Sequence, residues 1–161
     1  MRVALDIETD GLLEEVTTVW CIVCIDIDTE EVTTFTPDSM LSFKDWFNNS
    51  NITEVVGHNI IGYDIPVLEK LLGVDFSKAG VTDTLVLSRL YEPNRQSHSL
   101  KSWGEQLHNK KGDYNDWSKF TKEMLEYCIT DVRVTVALYT LLSSKDNSLS
   151  AESITLEHRT A

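Results

Sequence analysis

Two carboxylates one residue apart, Asp6 and Glu8, lie in the run Arg2-Val3-Ala4-Leu5-Asp6-Ile7-Glu8. Alternate side chains of a strand leave on opposite faces. The two acids therefore share one face, while Val3, Leu5 and Ile7 turn the other way, into a core. Like charges this close on an apolar strand repel, so either one carboxyl keeps its proton or a cation sits between them. The second arrangement is chemically productive. Hard divalent ions such as magnesium or manganese take oxygen ligands, and carboxylates from later stretches would complete their shell.

Two later acids qualify. Asp64 follows Gly57-His58-Asn59 at a strand-to-helix junction. Asp131 lies in the longest helical stretch, four residues after Tyr127, so phenol and acid leave one helical face. Cys128, Val132 and Val134 make the surroundings apolar, and an acid and a phenol facing inward there need partners. Singly, each has a plainer reading: Asp64 as a helix cap, Asp131 as an exposed helix acid, Tyr127 as a core ring with its hydroxyl at water. Cys21 and Cys24 form a C-x-x-C, but inside a strand-like run. Their odd offset sends the sulfurs to opposite faces, which excludes a shared zinc or disulfide and leaves them as buried structural residues.

The elements that must position these groups follow in order. The first strand ends at the turn Thr9-Asp10-Gly11-Leu12. Strands over 19–26 and 31–35, joined by an acidic turn, predict an antiparallel meander of three strands. Ser39 is placed to cap a short helix whose face is Met40, Leu41, Phe43, Trp46 and Phe47. Residues 54–59 read as a buried strand entering a loop. Asp64 then opens a helix with Pro66 in its first turn and Gly73 at its stop. Thr82-Asp83-Thr84 leads into a helix with Leu85, Val86 and Leu90 inward, and Ser99 caps another carrying Leu100, Trp103 and Leu107. Residues 108–117 read as a loop, and 121–143 as the longest helix. Three strands followed by alternating helices and strands predict an α/β fold with a mixed sheet.

At 161 residues, with 42% apolar and 25% charged residues, the chain has the size and composition of one globular domain. No apolar run reaches the roughly 20 residues of a membrane span. The N-terminus enters a strand without a secretion signal, so an intracellular location is expected. A formal net charge of -12 disfavours a broad non-specific grip on nucleic acid, but not a strand end held through metal ions.

The motif order resembles the DEDD exonucleases, which have an RNase H-like fold. D-x-E is Asp6-Ile7-Glu8 within "LDIETDGL". The Asn-containing loop ending in Asp is "GHNIIGYD", ending at Asp64. Y-x-x-x-D is "YCITD", Tyr127 to Asp131. Glu126, not His, stands five before Asp131, which points to the tyrosine subclass. Three further segments, "VTDTLVLSRL" (81–90), "SHSLKSWGEQL" (97–107) and "LEHR" (156–159), are similar to the proofreading exonuclease domain of bacteriophage family A DNA polymerases. The similarity stops where those enzymes continue into a polymerase domain. The chain is then either cut from a longer polymerase or separately encoded.

The resemblance implies an RNase H-like mixed sheet, a meander followed by parallel strands, flanked by helices. It implies an exonuclease domain over 1–145, with 146–161 a polar tail or the start of a linker helix. The implied activity is 3′–5′ removal of nucleoside 5′-monophosphates from DNA, in proofreading, with two divalent cations, Mg2+ or Mn2+. Asp6 would bridge both ions, Glu8 and Asp131 would complete the first shell, and Asp64 would hold the second ion mainly through water. No His or Cys stands in that ligand set, and Tyr127 would orient the attacking water. Thr9 would meet the terminal nucleotide, Leu12 would wedge between the last bases, and Asn59 would touch the strand. Asn59 stands five residues before Asp64, where many relatives have four, so this loop carries one extra residue. His58 is expected as a structural hydrogen-bonder and Asp83 as a support for the sheet end. Lys101, Lys110 and Lys111 either contact phosphates or, near Asp113 and Asp116, belong to a solvated surface. The implied partners are the 3′ end of single-stranded DNA and a separate DNA polymerase chain, with no membrane, in the cytoplasm of a bacterial host. Two other readings stay open: an RNA-trimming exonuclease, and a catalytically silent domain that docks on a polymerase.

Overall fold

The computed structural model describes residues 1–107 and 114–148. Five strands form one sheet: β1 (Arg2–Thr9), β2 (Val19–Asp26), β3 (Val32–Phe35), β4 (Glu54–Gly57) and β5 (Gly80–Asp83), in the spatial order β3-β2-β1-β4-β5. The β1–β2 and β2–β3 pairs are antiparallel, and the β1–β4 and β4–β5 pairs are parallel. This is the expected mixed sheet, with β1 at its centre. The helices are α1 (Phe43–Asn49), α2 (Ile65–Leu72), α3 (Thr84–Tyr91), α4 (Leu100–Gln106) and α5 (Lys122–Ser148).

The sheet is buried on both faces. Val3, Leu5 and Ile7 pack with Ile22, Cys24 and Phe35, and with Phe43, Phe47, Val67 and Leu68 of α1 and α2. Ala4 lies on the opposite face with Cys21, Val23 and Val56, covered by Met124, Cys128 and Val132 of α5. The period of two that sets Ala4 against α5 sets Asp6 and Glu8 there as well. Cys21 and Cys24 fall in opposite cores and all three cysteines are free.

Besides Ser39, whose side chain makes no capping hydrogen bond and accepts from Thr36 N at 3.0 Å instead, three details differ from expectation. Leu41 is 90% exposed, because Met40–Ser42 forms a separate 3-10 turn and the buried stripe begins afresh at Phe43. Val86 is 49% exposed, because α3 turns Thr84 and Ser88 inward instead. Their hydroxyls meet polar partners: Thr84 Oγ1 with His58 Nδ1 at 2.8 Å, and Ser88 Oγ with His98 Nδ1 at 2.6 Å and the Trp103 indole N–H at 2.8 Å. The third is α5, which continues to Ser148, past the expected end. Among the described residues no helix is long and apolar enough to cross a membrane. Lys110, Lys111, Asp113 and 156–159 lie outside the described residues.

Candidate active site

Three elements deliver the acids. Asp6 and Glu8 lie near the end of β1, opposite Val23 and Cys21 of β2. The β1–β2 register shifts between Glu8 and Thr9, so Trp20 is an extra residue on β2. Such a bulge re-aims the side chains beside it. Asp64 ends a π-helical turn, Ile60–Asp64, that runs directly into α2. A π turn holds one residue more than an α turn. Asp131 and Tyr127 stand on α5, which crosses the sheet over β1 and β2.

The π turn decides what Asp64 can do. Its backbone is already helical (φ -60, ψ -48) and its side chain makes no capping hydrogen bond. The carboxyl instead hydrogen-bonds Asp6, and Asp6 also hydrogen-bonds Asp131. Carboxyl groups hydrogen-bond one another only when a proton lies between them. Glu8 is 9% exposed, Asp64 3% and Asp131 6%, a degree of burial that charged groups tolerate only with partners. Asp6 lies at the centre. Burial pushes its carboxyl well above the usual range, and the charges of Asp64, Asp131 and Glu8 push it further. Burial likewise pushes Asp64 up to about 8, against the opposing hydrogen bond from Asp6.

The charges of Asp64, Asp131 and Glu8 act together on Asp6, and Asp64 Oδ2 is buried with no hydrogen-bond partner among the described residues. This donor set is all hard oxygen and crowded with like charges. It fits divalent cations such as magnesium or manganese. One neighbour departs from expectation. Cys128 donates its thiol to the Asp6 carbonyl at 3.6 Å and to Asp6 Oδ2 at 3.8 Å, and ligand atoms of Asp6, Glu8 and Cys128 lie within 4.8 Å of one another. The set is therefore not purely carboxylate in its surroundings. Burial holds the Cys128 thiol well above its ordinary range, so it acts as a neutral donor beside the acids.

Supporting residues hold the ends of these elements. Asp83 accepts from Asn59 N at 2.9 Å and Leu85 N at 2.9 Å through Oδ1, and from Ile61 N at 3.2 Å through Oδ2, tying the end of β5 to the π turn and α3. His58 Nε2 donates to the His98 carbonyl at 2.8 Å. Both residues sit in the structural places the sequence suggested.

Of the residues expected to meet substrate, Thr9 and Leu12 line one cavity beside Glu8. Thr9 is buried, and its hydroxyl bonds the Gly11 carbonyl at 3.0 Å and the Tyr63 hydroxyl. Leu12 is 73% exposed and lines an open cavity of about 370 Å3 with Glu8, Thr9, Tyr63 and Trp117. Asn59 is exposed in the left-handed region (φ 59), its side chain lying over Gly62, where an added Cβ would stand 2.7 Å from Asn59 Oδ1. Lys101 is exposed on α4.

Tyr63, Trp117 and Cys128 were missed from the sequence. The Tyr63 hydroxyl donates to the Gly11 carbonyl and so pins the Thr9–Gly11 turn. The Trp117 indole N–H donates to Glu8 Oε2 at 2.8 Å across 109 positions of chain. Cys128 alone carried a signal: it stands three residues before Asp131 and so shares its helical face.

Residues 1–145 match the family described as 3′–5′ exonuclease. The DNA-directed DNA polymerase of Escherichia phage T7 is 30% identical over 97% of this chain and 31% of its own length, and that of Enterobacteria phage T3 is 29% identical over the same shares. The chain thus spans about a third of the length of these relatives. Among solved structures, Brucella melitensis NrnC with bound Mg2+ superposes with a TM-score of 0.70 at 19% identity, covering 97% of this chain and 77% of NrnC. That likeness is one of fold.

Proposed function

The chain belongs to this 3′–5′ exonuclease family, and on that premise we propose that it removes nucleoside 5′-monophosphates from the 3′ end of single-stranded DNA by two-metal-ion hydrolysis, as the editing activity of phage DNA replication. The observation that carries the reading is the convergence of Asp6, Glu8, Asp64 and Asp131 from three elements, with Glu8, Asp64 and Asp131 buried and their charges acting together on Asp6.

Asp6, Glu8, Asp64 and Asp131 hold the ions. Two magnesium or manganese ions, when bound, supply the positive charge that stabilises the phosphate in the transition state and acidifies the attacking water. Tyr127, on α5 four residues before Asp131, orients that water with its hydroxyl. Leu12 projects from the rim and separates the last two bases, while Thr9 and Asn59 contact the terminal nucleotides. Burial of the acids by α5 keeps bulk water from competing for them and strengthens each charge interaction inside the site. A separate polymerase chain would present the DNA, since this acidic domain, with a net charge of -12, has little of the broad cationic surface that grips nucleic acid non-specifically. The setting is the cytoplasm of a bacterial host.

The test is digestion of matched 3′-labelled DNA and RNA oligonucleotides with magnesium and with a chelator. The reading expects labelled mononucleotide from DNA, only with the ion, and none from a chain carrying both Asp6→Ala and Glu8→Ala. Faster cutting of RNA would replace it with RNA trimming. Equal inertness of both chains would leave a docking domain.

A further inference from the structure

We propose that Trp117 is a positioning residue for Glu8 and, with its exposed ring, one wall of the groove for the strand end, so that the segment entering α5 links carboxylate geometry to strand binding. The inference rests on the exonuclease reading above.

Three observations carry it. First, the Trp117 indole N–H donates to Glu8 Oε2 at 2.8 Å, and Glu8 is only 9% exposed. A buried carboxylate with one oxygen fixed by a rigid donor loses its freedom to rotate. Partners of this kind orient metal ligands.

Second, Trp117 is itself braced. Trp20, the extra residue at the β2 bulge, donates its indole N–H to the Trp117 carbonyl at 2.9 Å. The Tyr114 ring meets Trp117 edge-on at 5.7 Å and lies against Tyr127 at 5.9 Å, while its hydroxyl shares a hydrogen bond with Thr121 at 2.8 Å. One short segment therefore touches both a carboxylate of β1 and the phenol of α5.

Third, Trp117 remains 38% exposed and faces the open cavity that Leu12 also lines. A tryptophan that only filled space would be buried. With its N–H committed to Glu8, this one presents an apolar aromatic face of the kind on which a base stacks.

Two variants separate the roles. Trp117→Phe keeps a ring and removes the N–H, whereas Trp117→Ala removes both. Calorimetric titration with Mn2+ alone, without nucleic acid, is expected to show binding weakened about 10- to 100-fold in both variants. At saturating Mn2+, KM for a single-stranded DNA end should stay near wild type in Trp117→Phe and rise about 10-fold in Trp117→Ala. A Trp117→Phe isotherm equal to wild type overturns the positioning role. Equal KM in the two variants overturns the wall. Should the wild-type chain neither bind Mn2+ nor cut DNA, the exonuclease reading fails and takes this proposal with it. Wild-type cutting with an unchanged Trp117→Phe isotherm removes the proposal alone.

Discussion

Asp64 stands where α2 begins yet caps nothing; its carboxyl bonds Asp6 on the central strand instead. The π turn before it sets that direction, and through it a residue that would ordinarily stabilise a helix end joins a crowded set of acids. The cluster is consequently a liability to the folded state when no cation is present.

Asp6→Asn keeps the shape and removes the cost of holding a carboxyl protonated inside this acidic cluster. With a chelator present, the variant should melt about 2–4 °C above wild type, the shift that roughly 1 kcal/mol produces in a domain of this size. The same substitution should lower exonuclease turnover about a thousand-fold or more. Thermal melts and a gel assay on the same preparation check both halves.

The pH dependence has a definite sign. Asp64 rises from 3.8 to about 8 on folding, so the folded protein binds more protons than the unfolded chain between those values. The resulting stability is fully present below about 4 and is lost as pH rises through about 8. Asp10, Asp28, Asp75 and Asp116 lie below their usual range, and their contributions disappear only as pH falls through their lower folded values. In chelator the melting temperature should therefore fall between pH 5 and pH 8.5. Millimolar magnesium should flatten or reverse that slope, because the ion replaces the shared protons.

Tyr127→Phe keeps the ring that Tyr114 packs against and removes only the hydroxyl. The expected result is a kcat about 100-fold lower with KM close to wild type. Calorimetric Mn2+ affinity should be unchanged, which separates this variant from those at the acids.

Asp83→Ala strands three backbone N–H groups, those of Asn59, Ile61 and Leu85. A loss of about 2–4 kcal/mol in chemical denaturation is expected, from unpaired donors and a lost cap. Leu12→Ala should stay within about 0.5 kcal/mol of wild type, since Leu12 is 73% exposed, while KM for DNA rises.

What could be read in advance was whatever depends on local period. Alternation along Arg2–Thr9 placed Asp6 and Glu8 together, and the four-residue step from Tyr127 to Asp131 placed both on one side of α5. The mixed sheet with its three-strand meander followed from short turns first and alternating helices and strands later. What escaped was set by tertiary contact. Nothing near Trp117 in sequence announces a bond to Glu8, and nothing near Tyr63 announces one to the turn at Gly11. Val86 misleads because apolar character alone does not fix the inward direction: α3 buries Thr84 and Ser88 against two histidines instead.

The central claim is that Asp6, Glu8, Asp64 and Asp131 together hold two divalent ions. Anomalous diffraction from crystals soaked in Mn2+ tests it most directly. The account predicts two strong peaks about 3.5–4 Å apart within reach of these four side chains, both absent when Asp6→Ala and Glu8→Ala are combined. Peaks elsewhere on the molecule, or an empty cluster at saturating Mn2+, would contradict it.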